Sequence, residues 1–203
     1  MQDLFRYSAL LLVLLNPFLL IIYLIDVVEK FELKKFARIL LHAAFIAMIV
    51  FWFFVILGDT FFSNILQAEF ASFQIFGGII FLAIGLHFVF RGPTTITMLR
   101  GESENLAGAI AVPILVGPGT ISASVLIGNR YNPLPACALV SAAVLISALI
   151  MIGLKMLHDY VRPKREPLIQ RYIEIAGRMM ALFIGTVSVE MIMQGIKSWA
   201  DKF

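Results

Sequence analysis

Six apolar stretches, each close to the length that crosses a bilayer, dominate the sequence: roughly 8–28, 37–58, 71–91, 107–128, 135–157 and 173–197. A spanning helix needs about 20 mostly apolar residues. Short polar segments separate the six: EKFELKK at 29–35, GDTFFSN at 58–64, RGPTTITMLRGESEN at 91–105, GNRYNP at 128–133 and HDYVRPKREP at 158–167. Hydrophobic residues make up 61% of the 203 and charged residues 14%, against about 45–50% and 25% in soluble domains. The chain therefore reads as an all-α, polytopic integral membrane protein with six transmembrane helices in one domain, 1–203. The apolar run after Arg6 extends from about Ser8 to Ile25 without a small-residue cleavage site, so it reads as a retained helix and not as a signal peptide.

Lysine and arginine set the direction of threading. Twelve of the 16 fall after the first, third and fifth stretches or just inside the sixth: Lys30, Lys34, Lys35, Arg38, Arg91, Arg100, Lys155, Arg162, Lys164, Arg165, Arg171 and Arg178. The positive-inside rule places those loops in the cytoplasm and both termini outside, as expected of a multi-pass protein of a bacterial inner membrane. The net charge of +3 is thus a topology signal, and no nucleic-acid partner is implied. The single cysteine, Cys137, excludes an internal disulfide and any cysteine-based metal cluster.

The halves of the chain resemble each other. Gly77 and Gly177, and Gly85 and Gly185, are each separated by 100 residues, and Asn16-Pro17 and Gly117-Pro118 by 101. The third and sixth stretches both close with glycine, Gly92 and Gly195. Repeat one is then about 8–92, repeat two about 107–197, and a cytoplasmic connector covers about 93–106. Three spans per half is an odd number, so the second half enters the membrane from the opposite side. Such inverted repeats are a frequent construction of secondary transporters, whose sites lie at discontinuous helices in corresponding positions.

Two segments carry that discontinuity: LLNPF in the first span and AVPILVGPGT in the fourth. Proline removes a main-chain donor and clashes with the preceding turn; glycine weakens a helix by about 1 kcal/mol relative to alanine. Helices 1 and 4 are accordingly expected to break near mid-membrane, freeing carbonyls before each break and amides after it. A carboxylate is favoured at exposed amides of a helix N-terminus and an ammonium at freed carbonyls. Asn16, Pro17, Gly117, Pro118, Gly119, Thr120 and Ser122 are the expected substrate-binding residues, with bulky Val112, Ile114, Val116 and Phe18 enclosing a small cavity.

The elements AVPILVGPGTIS (111–122), LNP (15–17), GDT (58–60) and FGGII (76–80), with six spans in this order, resemble the MarC family of bacterial and archaeal membrane proteins, which includes SnatA-type amino-acid transporters. The resemblance covers essentially the whole chain. It implies two inverted three-helix repeats with discontinuous first and fourth helices, and transport of small neutral amino acids such as glycine or alanine. One departure is visible. Where the family continues Asn-Pro with a glycine and a second proline, this chain has Leu19 and Ile22, so the first break carries fewer helix-breaking residues than the fourth.

An ionisable residue within a span is a functional candidate by default, which marks Glu190 as a possible proton or coupling-ion site. His42 and His87 read as interfacial, and the glycines at 77, 78, 85, 177 and 185 as close-packing positions between helices. No catalytic constellation is visible: His158 and Asp159 adjoin in a predicted loop without a nucleophile at useful spacing. Neither a metal-ligand pattern nor a phosphate-binding glycine loop is present, so no cofactor is expected. The function expected is a secondary transporter or exporter of small neutral amino acids or similar solutes, coupled to H⁺ or Na⁺. The alternative is a non-transporting membrane protein with an assembly or signalling role. In a variant lacking Cys137, cysteines introduced at Arg130 and Lys164 are expected to label from opposite faces, Arg130 from outside; labelling from one face overturns the threading.

Overall fold

The computed structural model describes residues 11–12, 14–65, 69–91, 106–111 and 115–201. Among these, every regular element is helical: α1 (Pro17–Tyr23), α2 (Ile25–Lys30), α3 (Leu33–Thr60), a π-helical turn (Phe61–Ile65), α4 (Phe70–Arg91), α5 (Leu106–Ile110), α6 (Pro118–Arg130) and α7 (Pro133–Ala200). Four helical stretches are long and apolar enough to cross a membrane: Leu33–Gly58, Phe70–His87, Pro133–Val161 and Ile175–Ala200. These correspond to the second, third, fifth and sixth predicted spans. In the first and fourth, no described helix exceeds the 13 residues of α6. The expected connector at 93–106 lies almost wholly outside the described residues, as do Val112, Pro113 and Ile114.

Four predicted connectors prove shorter or more helical than their polarity implied. Between α2 and α3 only Phe31 and Glu32 leave the helix, and between α6 and α7 only Tyr131 and Asn132. GDTFFSN is helical apart from a kink at Gly58. Gly58 takes φ 42°, ψ −129° inside α3, a left-handed conformation that glycine adopts without steric cost, and the π-helical turn follows. HDYVRPKREP, expected as a loop, is helical too, so His158 and Asp159 sit on α7. The reason is that lysine, arginine, glutamate and leucine are all good helix formers; polarity marks the end of the membrane and not the end of a helix.

α7 is nevertheless not one straight rod. Trp52 Nε1 donates to Ser141 Oγ at 2.9 Å. Six residues along α3, a Cβ at Gly58 would lie 3.8 Å from Val125; six residues back along α6, a Cβ at Gly119 would lie 3.5 Å from Met191 Sδ. Each of those helical steps is about 9 Å. A straight helix would separate Ser141 from Met191 by about 75 Å. The chain therefore doubles back between them, in a range that includes Pro163 and Pro167, which bend helices.

The main core joins the first span, α3, α6 and the N-terminal part of α7. Buried Phe36, Leu40, Ala43, Ala44, Ala47, Phe51 and Val55 recur at three- and four-residue spacing along α3, giving one inward stripe. Alanine and glycine on that stripe allow close approach, as usual between membrane helices. The closest crossing is at Gly128, where a Cβ would fall 2.1 Å from the Val55 carbonyl oxygen. The second packing unit is α4 against the C-terminal part of α7. Gly195 meets Ala71 and Ile75, Gly78 meets Ser188 and Ile192, and Gly85 meets Ala181 and Gly185. Numbers rise on one helix as they fall on the other, so the pair is antiparallel. Many large apolar side chains face outward, among them Phe76, Phe90, Leu149 and Leu182; in bulk water such patches would associate, and in hydrocarbon they are solvated.

Gly128→Ala is expected to lower stability by about 1–3 kcal/mol, because the obstructing atom is main-chain and cannot rotate away. Gly153→Ala, whose Cβ would meet nothing within 4 Å, is the control that loses nothing. Thermal unfolding of the two purified proteins in detergent reads the difference.

Candidate functional site

The site is built upward from the start of α6. Pro118 is the first helical residue, a position that suits its fixed φ and missing donor, and Gly117 before it is extended at φ −110°, ψ 167°. The first main-chain bond of the helix runs from Ile121 N–H to the Gly117 carbonyl at 3.0 Å. The amides of Gly119 and Thr120 precede that ladder and point out of the helix end, where the helix dipole is positive. Behind the break, Val116 N–H reaches back to the Ala111 carbonyl at 2.9 Å, one residue farther than in a regular α-helix.

Thr120 closes the break chemically. Its hydroxyl accepts the Gly117 N–H at 2.9 Å and lies 2.9 Å from the Gly117 carbonyl and 3.2 Å from that of Leu115. One proton serves those two carbonyls, and the whole arrangement is buried. Ser124 turns inward in a different sense, donating to the Thr120 carbonyl at 2.8 Å. Ser122, between them, is 7% exposed, yet its Oγ has no hydrogen-bond partner. A buried hydroxyl without a partner costs about 1–3 kcal/mol. Of the three polar side chains expected here, Thr120 is therefore committed to the main chain and Ser122 is left open.

The first span is interrupted more narrowly. Asn16 has φ 38°, a left-handed conformation that asparagine tolerates better than most residues, and it precedes proline, which disfavours the helical region for its neighbour. Main-chain bonds resume directly on either side, Asn16 N–H to Leu12 and Leu20 N–H to Asn16, both at 3.0 Å. Pro17 begins α1 and is buried. Only Asn16 leaves the helix at this point, in keeping with the absence of a further glycine or proline at Leu19 and Ile22.

The start of α6 has close neighbours in three other segments. A Cβ at Gly119 would contact Leu14 Cδ2 at 3.6 Å, Met191 Sδ at 3.5 Å and Phe81 Cε2 at 3.7 Å. A Cβ at Gly117 would press on Phe81 Cζ at 2.6 Å, and one at Gly77 would overlap the Pro118 ring, with its Cβ 1.9 Å away. Gly117, Pro118, Gly119, Thr120 and Ser122 thus form one region walled by apolar Leu14, Phe81 and Met191, while Asn16 and Pro17 are linked to it through Leu14, two residues before Asn16. Phe81 and Met191 were not expected from the sequence; FGGII and its counterpart carried a packing signal, and Phe81 follows directly after it. Glu190 is not brought there. It is exposed and accepts from Gln194 Nε2 at 2.8 Å, while its neighbour Met191 faces the break.

Comparison with known proteins gives the region a family context. The profile described as "MarC family integral membrane protein" matches residues 1–200. Relatives include a "UPF0056 membrane protein" of Buchnera aphidicola subsp. Schizaphis graminum, 22% identical over 98% of each chain. Others are the "UPF0056 membrane protein YhcE" of Escherichia coli strain K12, 27% identical over 95% of this chain and 91% of that one, and a "UPF0056 membrane protein" of Aquifex aeolicus, 23% identical over 93% and 89%. No solved structure matches.

Thr120→Val keeps the shape but takes the hydroxyl from the Gly117 amide and the Leu115 carbonyl, while the Gly117 carbonyl keeps its bond from Ile121, so stability is expected to drop by about 1–3 kcal/mol. Thr120→Ser restores most of it. Unfolding midpoints of the two purified variants in detergent check the pair, and an unperturbed Thr120→Val protein would contradict the capping role.

Proposed function

Since the chain belongs to the MarC family of integral membrane proteins, we propose that it is a secondary transporter of small neutral amino acids, or solutes of that size, in the inner membrane. The solute sits where the two interrupted segments meet. Its carboxylate takes the amides of Gly119 and Thr120 at the start of α6, and its ammonium takes carbonyls on the Asn16 side. Such a site holds a zwitterion with main-chain dipoles and no formal protein charge. The apolar wall of Leu14, Phe81 and Met191 restricts it to small side chains. SnatA-type specificity for glycine or alanine fits this size.

The observation that carries the reading is the Ser122 hydroxyl: nine-tenths buried, one turn into α6, and without a partner. A packing residue has no use for that hydroxyl, whereas a solute polar group gives it a bond. Threading supports the same reading. In our proposal six crossings form two inverted three-helix repeats, with breaks at Asn16 and Gly117 in corresponding spans. Under a two-fold relation of the halves, equivalent residues of the third and sixth spans meet at the axis, and Gly85 and Gly185 are in contact. Alternating access then becomes a rocking of one repeat against the other around a fixed site. The basic loops put both termini outside.

Ser122→Ala separates a site from a packing position. Its stability is expected to hold or to rise by up to about 1–3 kcal/mol, because no intramolecular bond is lost and a buried hydroxyl without a partner is removed. Its apparent affinity for alanine or glycine in proteoliposome exchange is expected to fall about tenfold, since a hydrogen bond to a charged or polar solute is lost. Exchange as tight as in the parent protein removes Ser122 from the site, and absence of exchange in the parent refutes transport of these solutes.

A further inference from the structure

A second polar cluster lies on the part of α7 that forms the fifth span, away from the breaks. Lys155 is 3% exposed, a rare state for an ammonium group in a membrane helix. Its Nζ pairs with Asp159 Oδ1 one turn on. The same carboxylate oxygen is 3.4 Å from His158 Nδ1. His158 has a side chain only 10% exposed, and its Nε2 is buried without a partner. Three turns earlier on the same face, Ser147 is 1% exposed and its Oγ is also unpartnered. Two of the four orphaned polar atoms among the described residues therefore fall on this one stripe of α7.

We propose that the proton is the coupling ion of this protein and that His158, held by the Lys155–Asp159 pair, binds it. This rests on the transport reading above. With Nδ1–H directed at Asp159, the ring presents an Nε2 lone pair as acceptor. A proton delivered by water adds there and leaves by the same route, with no electron transferred. The adjacent ammonium disfavours a sodium ion, because the carboxylate oxygen that would ligate it already holds a cation at contact distance. A proton on Nε2 avoids that clash by lying on the far side of the ring. Ser147, about 16 Å along the same face, marks the direction toward mid-membrane.

Neighbouring elements do not supply a competing buried group among the described residues. Glu29 and Lys30 of α2 and Lys34, Lys35 and Arg38 of α3 are exposed. His87 belongs to α4, which packs on the other part of α7, and Arg130 is exposed at the end of α6. Glu190, the residue singled out from sequence, faces outward and is bonded to Gln194.

The test uses the full chain in proteoliposomes with radiolabelled alanine. For each variant the accumulation driven by a pH gradient is divided by counterflow exchange under equal external and internal pH. The ratio is expected to fall about tenfold in His158→Gln, within the ordinary range of coupling between two ligand sites. The double variant Lys155→Gln/Asp159→Asn, which removes both charges together, is expected to lower it as well. An unchanged ratio in His158→Gln, or accumulation in the parent protein driven by sodium alone, overturns the coupling role and leaves transport standing. No counterflow in the parent protein overturns the transport reading, and coupling with it.

Discussion

A main-chain amide or carbonyl inside a bilayer must find a partner, because hydrocarbon offers none. The AVPILVGPGT segment is organised around that requirement. A run with two glycines and two prolines cannot keep an uninterrupted ladder, and the freed groups at its centre are taken up locally. Thr120 does most of this: one hydroxyl bridges an amide and two carbonyls across the gap. With those satisfied, the amides of Gly119 and Thr120 remain at the start of α6, ahead of its first main-chain bond. The break is thus selectively closed. What stays open is a donor pair with a positive dipole behind it, which is the polarity that an anion or a carboxylate seeks.

The same constraint governs what surrounds the break. Gly77 allows the Pro118 ring to lie flat on α4, at a spacing no side chain would permit. Gly128 brings α6 onto the Val55 carbonyl, and Gly58 bends α3 beside Asn129 and Val125. Close main-chain approach at these positions fixes the short helix α6 that a longer, regular span would not need fixing. An interrupted helix has lost part of its own rigidity, and neighbours that touch its backbone directly restore it. Function and packing are therefore carried by different residues in one sequence block.

Much of this was legible in the sequence. The non-helical backbone at Asn16 and Gly117 was legible from Asn16-Pro17 and Gly117-Pro118, since proline and the residue before it have few allowed conformations whatever the surroundings. The close-packing roles of Gly77, Gly78 and Gly85 were legible for a similar reason. The connectors were misread because polarity was treated as a helix breaker: His158 and Asp159 were assigned to a loop, and they lie on α7. The outward direction of Glu190 was not legible, because sequence gives its depth along the helix and not its direction; one residue of rotation separates it from inward-facing Met191. Phe81 was missed because one phenylalanine among 18 carries no positional signal until the break is folded against it. The buried state of Lys155 was equally invisible, since a lysine near a basic loop reads as a topology marker.

Ser122 and Thr120 show how stability and function divide within one turn. Both are buried hydroxyls on α6, two residues apart. Thr120 lowers the free energy of the folded chain through bonds it makes within the chain, so folding alone accounts for it. Ser122 makes none, and a buried unpartnered hydroxyl is less favourable than the methyl group that would fill the same volume. Folding alone would favour alanine at that position. A chain that keeps serine there holds a cost in its empty state which is offset only when something else supplies the partner. The same reasoning applies to Ser147 and to the Nε2 of His158 on α7. In a membrane interior that something is a solute, a water or a proton in transit. The pattern of unmet polar groups, more than the pattern of satisfied ones, therefore marks the positions that folding alone does not account for.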